Sequence, residues 1–199
     1  MAMNSRWRDG FVLTAIMVMA GGQGAAVQPG DESPRGAVET CGETWTVSTV
    51  APAGLEGAAW GGSHVVAVGA GGTVLSSPDG VTFTASLSGT VEDLKAVAWS
   101  GAQFVAVGDS GAVVTSSDGV AWTVRDGGTA SELFAVGWSG SRFVAVGHHG
   151  AVVTSPDAVS WPAQASGTTQ DLRGVVWTGS RFVAVGDKGV RLSDAWRAG

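Results

Sequence analysis

The sequence predicts an all-β fold, a four-bladed β-propeller of 39-residue four-stranded repeats whose ring is closed by an N-terminal strand. Three observations carry that prediction. Leu55, Leu94, Leu133 and Leu172 recur every 39 residues, and Trp60, Trp99, Trp138 and Trp177 follow five residues later on the same step. Four in-register copies without insertions mean that one supersecondary unit is stacked repeatedly, because a unit this small cannot bury its own apolar faces. Within each copy, four short apolar runs alternate with turn chemistry, as an antiparallel meander requires. Lastly, Trp45-Thr46-Val47-Ser48-Thr49-Val50 resembles the fourth strand of a copy, and the last copy lacks a normal fourth strand. A β-trefoil also repeats four-stranded units of about this length, but its three-fold symmetry leaves no place for a fourth Leu-to-Trp unit.

Composition agrees with that class. Of 199 residues, 44% are hydrophobic and 14% charged, so the chain can bury a sizeable core. Its 32 glycines follow no Gly-X-Y period and mark turns, while valine, tryptophan and phenylalanine fill the runs between them. The net charge of −6 argues against nucleic acid as a partner, since such binding rests on Lys and Arg neutralising phosphates. The single cysteine, Cys41, cannot form an internal disulfide, and no Cys/His spacing matches a zinc site.

Three segments are expected along the chain. Residues 1–26 read as a signal peptide: Arg6 and Arg8 are basic, Phe11 to Ala20 is an apolar run, and Gly24-Ala25-Ala26 offers small residues for cleavage. The run is too short for a bilayer span, which needs about 20 residues, so a secreted or periplasmic protein without a membrane span is expected. Residues 27–43, rich in Gln, Pro, Gly, Asp, Glu and Ser, read as a flexible linker. Residues 44–199 form the propeller.

The second repeat shows the expected strands: Lys95–Trp99, Phe104–Val107, Ala112–Thr115 and Ala121–Arg125. The second is apolar on both faces and recurs at Val144–Val146 and Val183–Val185, so neighbouring sheets should cover it on both sides. Glycines flank the link to the third strand, as in Gly108-Asp109-Ser110-Gly111, which suits a tight hairpin with positive φ. The third and fourth strands are joined by Ser77-Pro78-Asp79-Gly80-Val81-Thr82-Phe83, Ser116-Ser117-Asp118-Gly119-Val120-Ala121-Trp122 and Ser155-Pro156-Asp157-Ala158-Val159-Ser160-Trp161. In these turns Asp79, Asp118 and Asp157 should accept backbone N–H bonds, with glycine at the positive-φ position.

These turns resemble the Asp-box of BNR, or sialidase-type, propellers. The longer pattern Val-Gly-x-x-Gly-x-Val-x-x-Ser-x-Asp-Gly-x-x-Trp is similar to the repeats of photosystem II assembly-factor-like propellers. The resemblance covers about residues 55–199. It departs from the usual Asp-box, which has one residue between Asp and Gly, and Ala158 replaces the glycine of the third copy. A sialidase would imply a tyrosine nucleophile and an arginine cluster, yet the chain has no tyrosine. Arg142 and Arg181 read as solvent-facing turn residues, and the acids fall at repeated turn positions. No catalytic residue is assigned, and the expected function is a non-enzymatic binding or scaffold module for a protein or glycan. The alternatives are a BNR-type glycan hydrolase and a fragment or half of a larger propeller completed by oligomerisation; a monomer is expected.

Two sets of residues differ between copies on an otherwise constant frame. The hairpin tips read Ala70-Gly71, Asp109-Ser110, His148-His149 and Asp187-Lys188, and an asymmetric partner could be read at Asp109, Ser110, His148, His149, Asp187 and Lys188. Asp93, Glu132 and Asp171 each immediately precede an innermost strand and could ring the channel mouth. A hard cation such as calcium would suit them, although it takes six to eight oxygens and three side chains supply too few. Lys95 and Arg173, close in sequence, could instead neutralise them without a metal.

Overall fold

The computed structural model describes residues 54–193, and these form four small antiparallel sheets that resemble propeller blades. Blade one contains β1 (Leu55–Trp60), β2 (Val65–Gly69), β3 (Thr73–Ser77) and β4 (Thr84–Leu87), hydrogen-bonded in that order. Blade two repeats it with β5 (Leu94–Trp99), β6 (Phe104–Gly108), β7 (Val113–Ser116) and β8 (Thr123–Arg125). Blade three contains β9 (Leu133–Trp138), β10 (Phe143–Gly147) and β11 (Val152–Ser155). Blade four contains β12 (Leu172–Trp177), β13 (Phe182–Gly186) and β14 (Arg191–Ser193).

The fourth strand expected in blade three is reduced to a single bridge between Val153 and Ala163. The segment still runs beside β11, for Thr154 N–H donates to the Pro162 carbonyl at 3.2 Å and Gln164 N–H to the Val152 carbonyl at 2.8 Å. Thr84 and Thr123 begin the outer strands of the first two blades where Pro162 stands in the third. Proline has no N–H to return the bond to Thr154, and the ladder fails there.

Both faces of the central strands β6 and β10 are covered, as the two-sided apolar runs predict, whereas on β13 Val185 is exposed. Val66 and Val68 of blade one pack with Phe104 and Ala106 of blade two. Val105 and Val107 pack with Phe143 and Ala145, and Val144 and Val146 with Phe182 and Ala184. Alternation along a strand explains the arrangement, since odd and even side chains of β6 or β10 face opposite neighbours. Each such fully buried valine or phenylalanine is worth about 1.5–3 kcal/mol, so the blade junctions dominate stability. The innermost strands pack in sequence order, β1 beside β5, β5 beside β9 and β9 beside β12. Among the described strands, β12 and β1 do not lie side by side in this way. The closing strand expected at residues 45–50, the signal peptide, the linker and Cys41 lie outside the described residues.

Every innermost strand carries a β-bulge at its second residue. Leu55 pairs with Gly69 and Gly57 with Val68, leaving Glu56 unpaired; Lys95, Phe134 and Arg173 are left over in the same way. A bulge re-aims the extra side chain out of the regular alternation. The four bulges therefore set up a row of side chains at one end of the blades, the end that also carries the hairpin tips.

Candidate functional site

The tips are one-turn 3-10 segments, Ala70–Gly72, Asp109–Gly111, His148–Gly150 and Asp187–Gly189. Their middle residue is left-handed in every copy: Gly71 at φ 61°, Ser110 at 55°, His149 at 53° and Lys188 at 54°. Only the first is a glycine. Non-glycine residues in this region cost about 1–2 kcal/mol each, so three blades tolerate backbone strain to present a side chain at the tip.

The tips and the acids that precede the innermost strands, two separate sets in the sequence, meet across blade junctions. Asp93 Oδ1 accepts from Gly71 N–H of the preceding blade at 2.7 Å, and Asp171 Oδ1 accepts from His149 N–H at 2.9 Å. The carboxylate thus caps a strained turn in the neighbouring blade. These bonds hold both acids below the usual carboxylate range, with Lys95 helping at Asp93 and His148 and Arg173 helping at Asp171. Glu132 is exposed, and its backbone carbonyl accepts from His148 N–H at 2.9 Å.

The bulge row neutralises the same acids. Lys95 Nζ lies 3.1 Å from Glu56 Oε1, 3.3 Å from Asp93 Oδ2 and 3.5 Å from Asp109 Oδ1. Burial pulls its ammonium down, but Glu56 and Asp93 outweigh burial and hold it above its ordinary value. Asp109 Oδ1 is shielded from solvent with no hydrogen bond, leaving Lys95 as its electrostatic partner. Ser110 Oγ donates to Glu92 Oε2 at 3.1 Å. In the other half, Arg173 reaches Asp187 through Nε and Nη2, both at 3.1 Å, and Asp171 Oδ2 through Nη2 at 2.9 Å. The Arg173 guanidinium also lies 4.6 Å from the centre of the Phe134 ring, whose edge meets His148. His148 and His149 stack at 3.8 Å, with His148 Nδ1 2.9 Å from Asp171 Oδ1. Lys188 is exposed.

The result is an asymmetric surface on a repeated frame. Glu56, Lys95, Phe134 and Arg173 occupy one repeat position yet differ in charge and shape. Sequence reasoning named Lys95 and Arg173 as neutralisers but missed the row. The signal was present, because the residue after each repeat leucine differs in every copy, while the leucine before it is constant and the residue after it is always glycine or alanine. Among the described residues, no group of three or more His, Cys, Asp or Glu side chains converges as a metal site. The oxygens of Asp93 and Asp171 are instead engaged by N–H groups and cations.

At the opposite end of the blades the Asp turns form as the residue pattern predicts. Asp118 Oδ1 accepts from Val120 and Ala121 N–H at 2.8 Å and from Ser116 Oγ at 2.9 Å, while Ser116 Oγ accepts from Gly119 N–H. Asp79 and Asp157 bond their own turns alike. The backbone donors hold all three carboxyls low, Asp79 at about 2. Trp122 Nε1 donates to the Gly119 carbonyl, whereas Trp161 Nε1 of the third copy is buried without a partner. Ala158 there takes the left-handed position at φ 60° and is fully buried. A carboxyl lowered on folding stabilises the fold above its unfolded pKa, and that support is lost as pH falls through the folded value. Asp118→Ala should therefore lower the melting temperature at neutral pH, and the gap to wild type should narrow as pH drops through and below the carboxylate range. A gap constant from pH 7 down to 2 would contradict the turn chemistry.

Solved structures place this geometry. The computationally designed Ika4 protein matches with a TM-score of 0.63 and 13% identity, over 75% of this chain and 94% of that one. The Cps50 (Swd1) β-propeller domain of Myceliophteria thermophila matches at 0.51 with 12% identity, over 70% and 52%. The fold is propeller-like. YCF48 from Cyanidioschyzon merolae matches at 0.57 with 18% identity, over 75% and 55%. The chain thus spans about half the length of these two natural propeller relatives. No protein-family model matches the chain, and no curated protein sequence matches it.

Proposed function

We propose that the chain is an exported binding or scaffold module that engages a protein or glycan through its tip face and performs no chemistry of its own. The observation that carries this reading is the row Glu56, Lys95, Phe134 and Arg173, four unlike side chains on one repeated position, flanked by the unlike tips Asp109-Ser110, His148-His149 and Asp187-Lys188. Unlike side chains on one repeated position supply the asymmetry that recognition of an asymmetric partner needs. The Phe134, His148 and Arg173 group combines an aromatic edge, a stacked imidazole pair and a guanidinium, residue types suited to a binding centre. Export follows from the basic and apolar leader read at residues 1–26, and the Asp turns support the likeness to Asp-box repeats.

Capture from the native extracellular fraction tests the reading. Wild-type protein should retain a partner that the Phe134→Ala and Arg173→Ala variants lose at least tenfold, with melting temperatures close to wild type. Retention unchanged in both variants would overturn the tip face as the site, and hydrolysis of a fluorogenic glycoside panel by purified protein would overturn the non-enzymatic reading.

A further inference from the structure

A cleft of about 640 Å3 opens on the outer side of blade three, beside the tip His148–Gly150. Small-ligand sites run from about 300 to 1,000 Å3. The hollow has a cause in the sequence. Ala163 stands at the repeat position of Val124, and Ala165 at that of Leu87 and Asp126. In blade two, Val124 closes against the loop from blade one, where a Cβ added to Gly89 would lie 3.0 Å from its Cγ2. Ala163 lacks the two methyl groups of that valine, and the segment that carries it meets β11 through a single bridge. The polar lining comes from three places. Thr129 and Ser131 belong to the loop that enters blade three, Gln164, Thr168 and Thr169 to the segment that leaves it, and His149 to the tip. Thr129 Oγ1 and Thr168 Oγ1 each accept a backbone N–H at 3.1 Å and keep their hydroxyl hydrogens to donate. Gln164 Nε2 donates to the Pro162 carbonyl at 3.3 Å, which leaves its amide oxygen to accept. Among the described lining residues there is no carboxylate, ammonium or guanidinium.

We propose that this cleft binds a neutral saccharide. A sugar hydroxyl both donates and accepts, and so do the threonine and serine hydroxyls and the glutamine amide that line the cleft. The apolar surface that Ala151, Val152 and Ala163 add to the lining suits the C–H faces of a sugar ring. An acidic glycan calls for a guanidinium or ammonium to pair with its charge, and the described lining supplies neither. A peptide added to the blade as a strand calls for an open run of edge N–H and C=O groups, whereas the outer segment here forms one bridge. The site stands apart from the tip-face reading, since neither Phe134 nor Arg173 lines it.

An array of neutral oligosaccharides of glucose, galactose, mannose and N-acetylglucosamine tests it, with sialylated glycans, sulfated glycans and short peptides arrayed beside them. The purified full chain should bind at least one neutral oligosaccharide. Gln164→Ala and Thr169→Ala should each lose about fivefold in affinity, the worth of one hydrogen bond. Ala165→Phe, which fills the cleft, should abolish binding, and Val120→Ala at the opposite end of the blades should leave it unchanged. Should Ala165→Phe lack a folded circular dichroism spectrum, the other two cleft variants decide. Binding confined to anionic glycans or to peptides, binding to nothing on the array, or binding that survives the cleft substitutions would each overturn the inference.

Discussion

Phe143→Ala is expected to lower stability by about 3–5 kcal/mol. The ring is fully buried, lies 4.4 Å from Trp138 and 6.1 Å from Trp161 centre to centre, and belongs to the cluster that joins blades two and three. Its removal opens a cavity against Val105 and Val107, whose strand is held on both faces and has little freedom to collapse into the space. Chemical denaturation reads the loss directly. A cost below about 1 kcal/mol would mean that this junction is not the packed seam described.

Gly147→Ala is expected to be strongly damaging at the tip face. Gly147 is extended, so the reason is not its dihedral angles but proximity: a Cβ there would overlap the backbone carbonyl of Glu132. Backbone cannot swing aside as a flexible side chain does, and the strain should cost at least about 1–3 kcal/mol. It falls at the bulge that projects Phe134, so partner retention should drop with stability. Gly174→Ala is the control, because its added methyl would meet only Val185 Cγ2 at 3.6 Å, an ordinary contact. It should cost far less, and equal losses at the two positions would contradict the bulge geometry.

Much of the scaffold was legible in the sequence because it depends on short-range rules. The 39-residue step, the two-sided apolar runs and the glycine-flanked tips locate blades, central strands and left-handed turns to within a residue or two. The outer strand of the third blade was not, although its cause was visible: Pro162 removes one N–H from a ladder that Thr84 and Thr123 complete in the other blades. The site was half legible. Comparison of copies singled out Asp93, Asp171 and the tips, but the bonds from Gly71 to Asp93 and from His149 to Asp171 cross a junction whose geometry no local pattern encodes. The bulge row was missed because strict alternation assigns every strand residue to one face or the other, and Glu56, Lys95, Phe134 and Arg173 obey neither. The exposure of Leu55 and Val185 could not be read at all, since both are the same residues as their buried counterparts in other copies.

Backbone hydrogen exchange on the protein with and without its captured partner tests the central claim most directly, that recognition occupies the bulge and tip end of the blades. Protection should concentrate at residues 70–72, 109–111, 148–150 and 187–189 and at the first residues of β5, β9 and β12. Protection centred instead on the Asp turns at 77–83, 116–122 and 155–161, at the opposite end of the same strands, would contradict it.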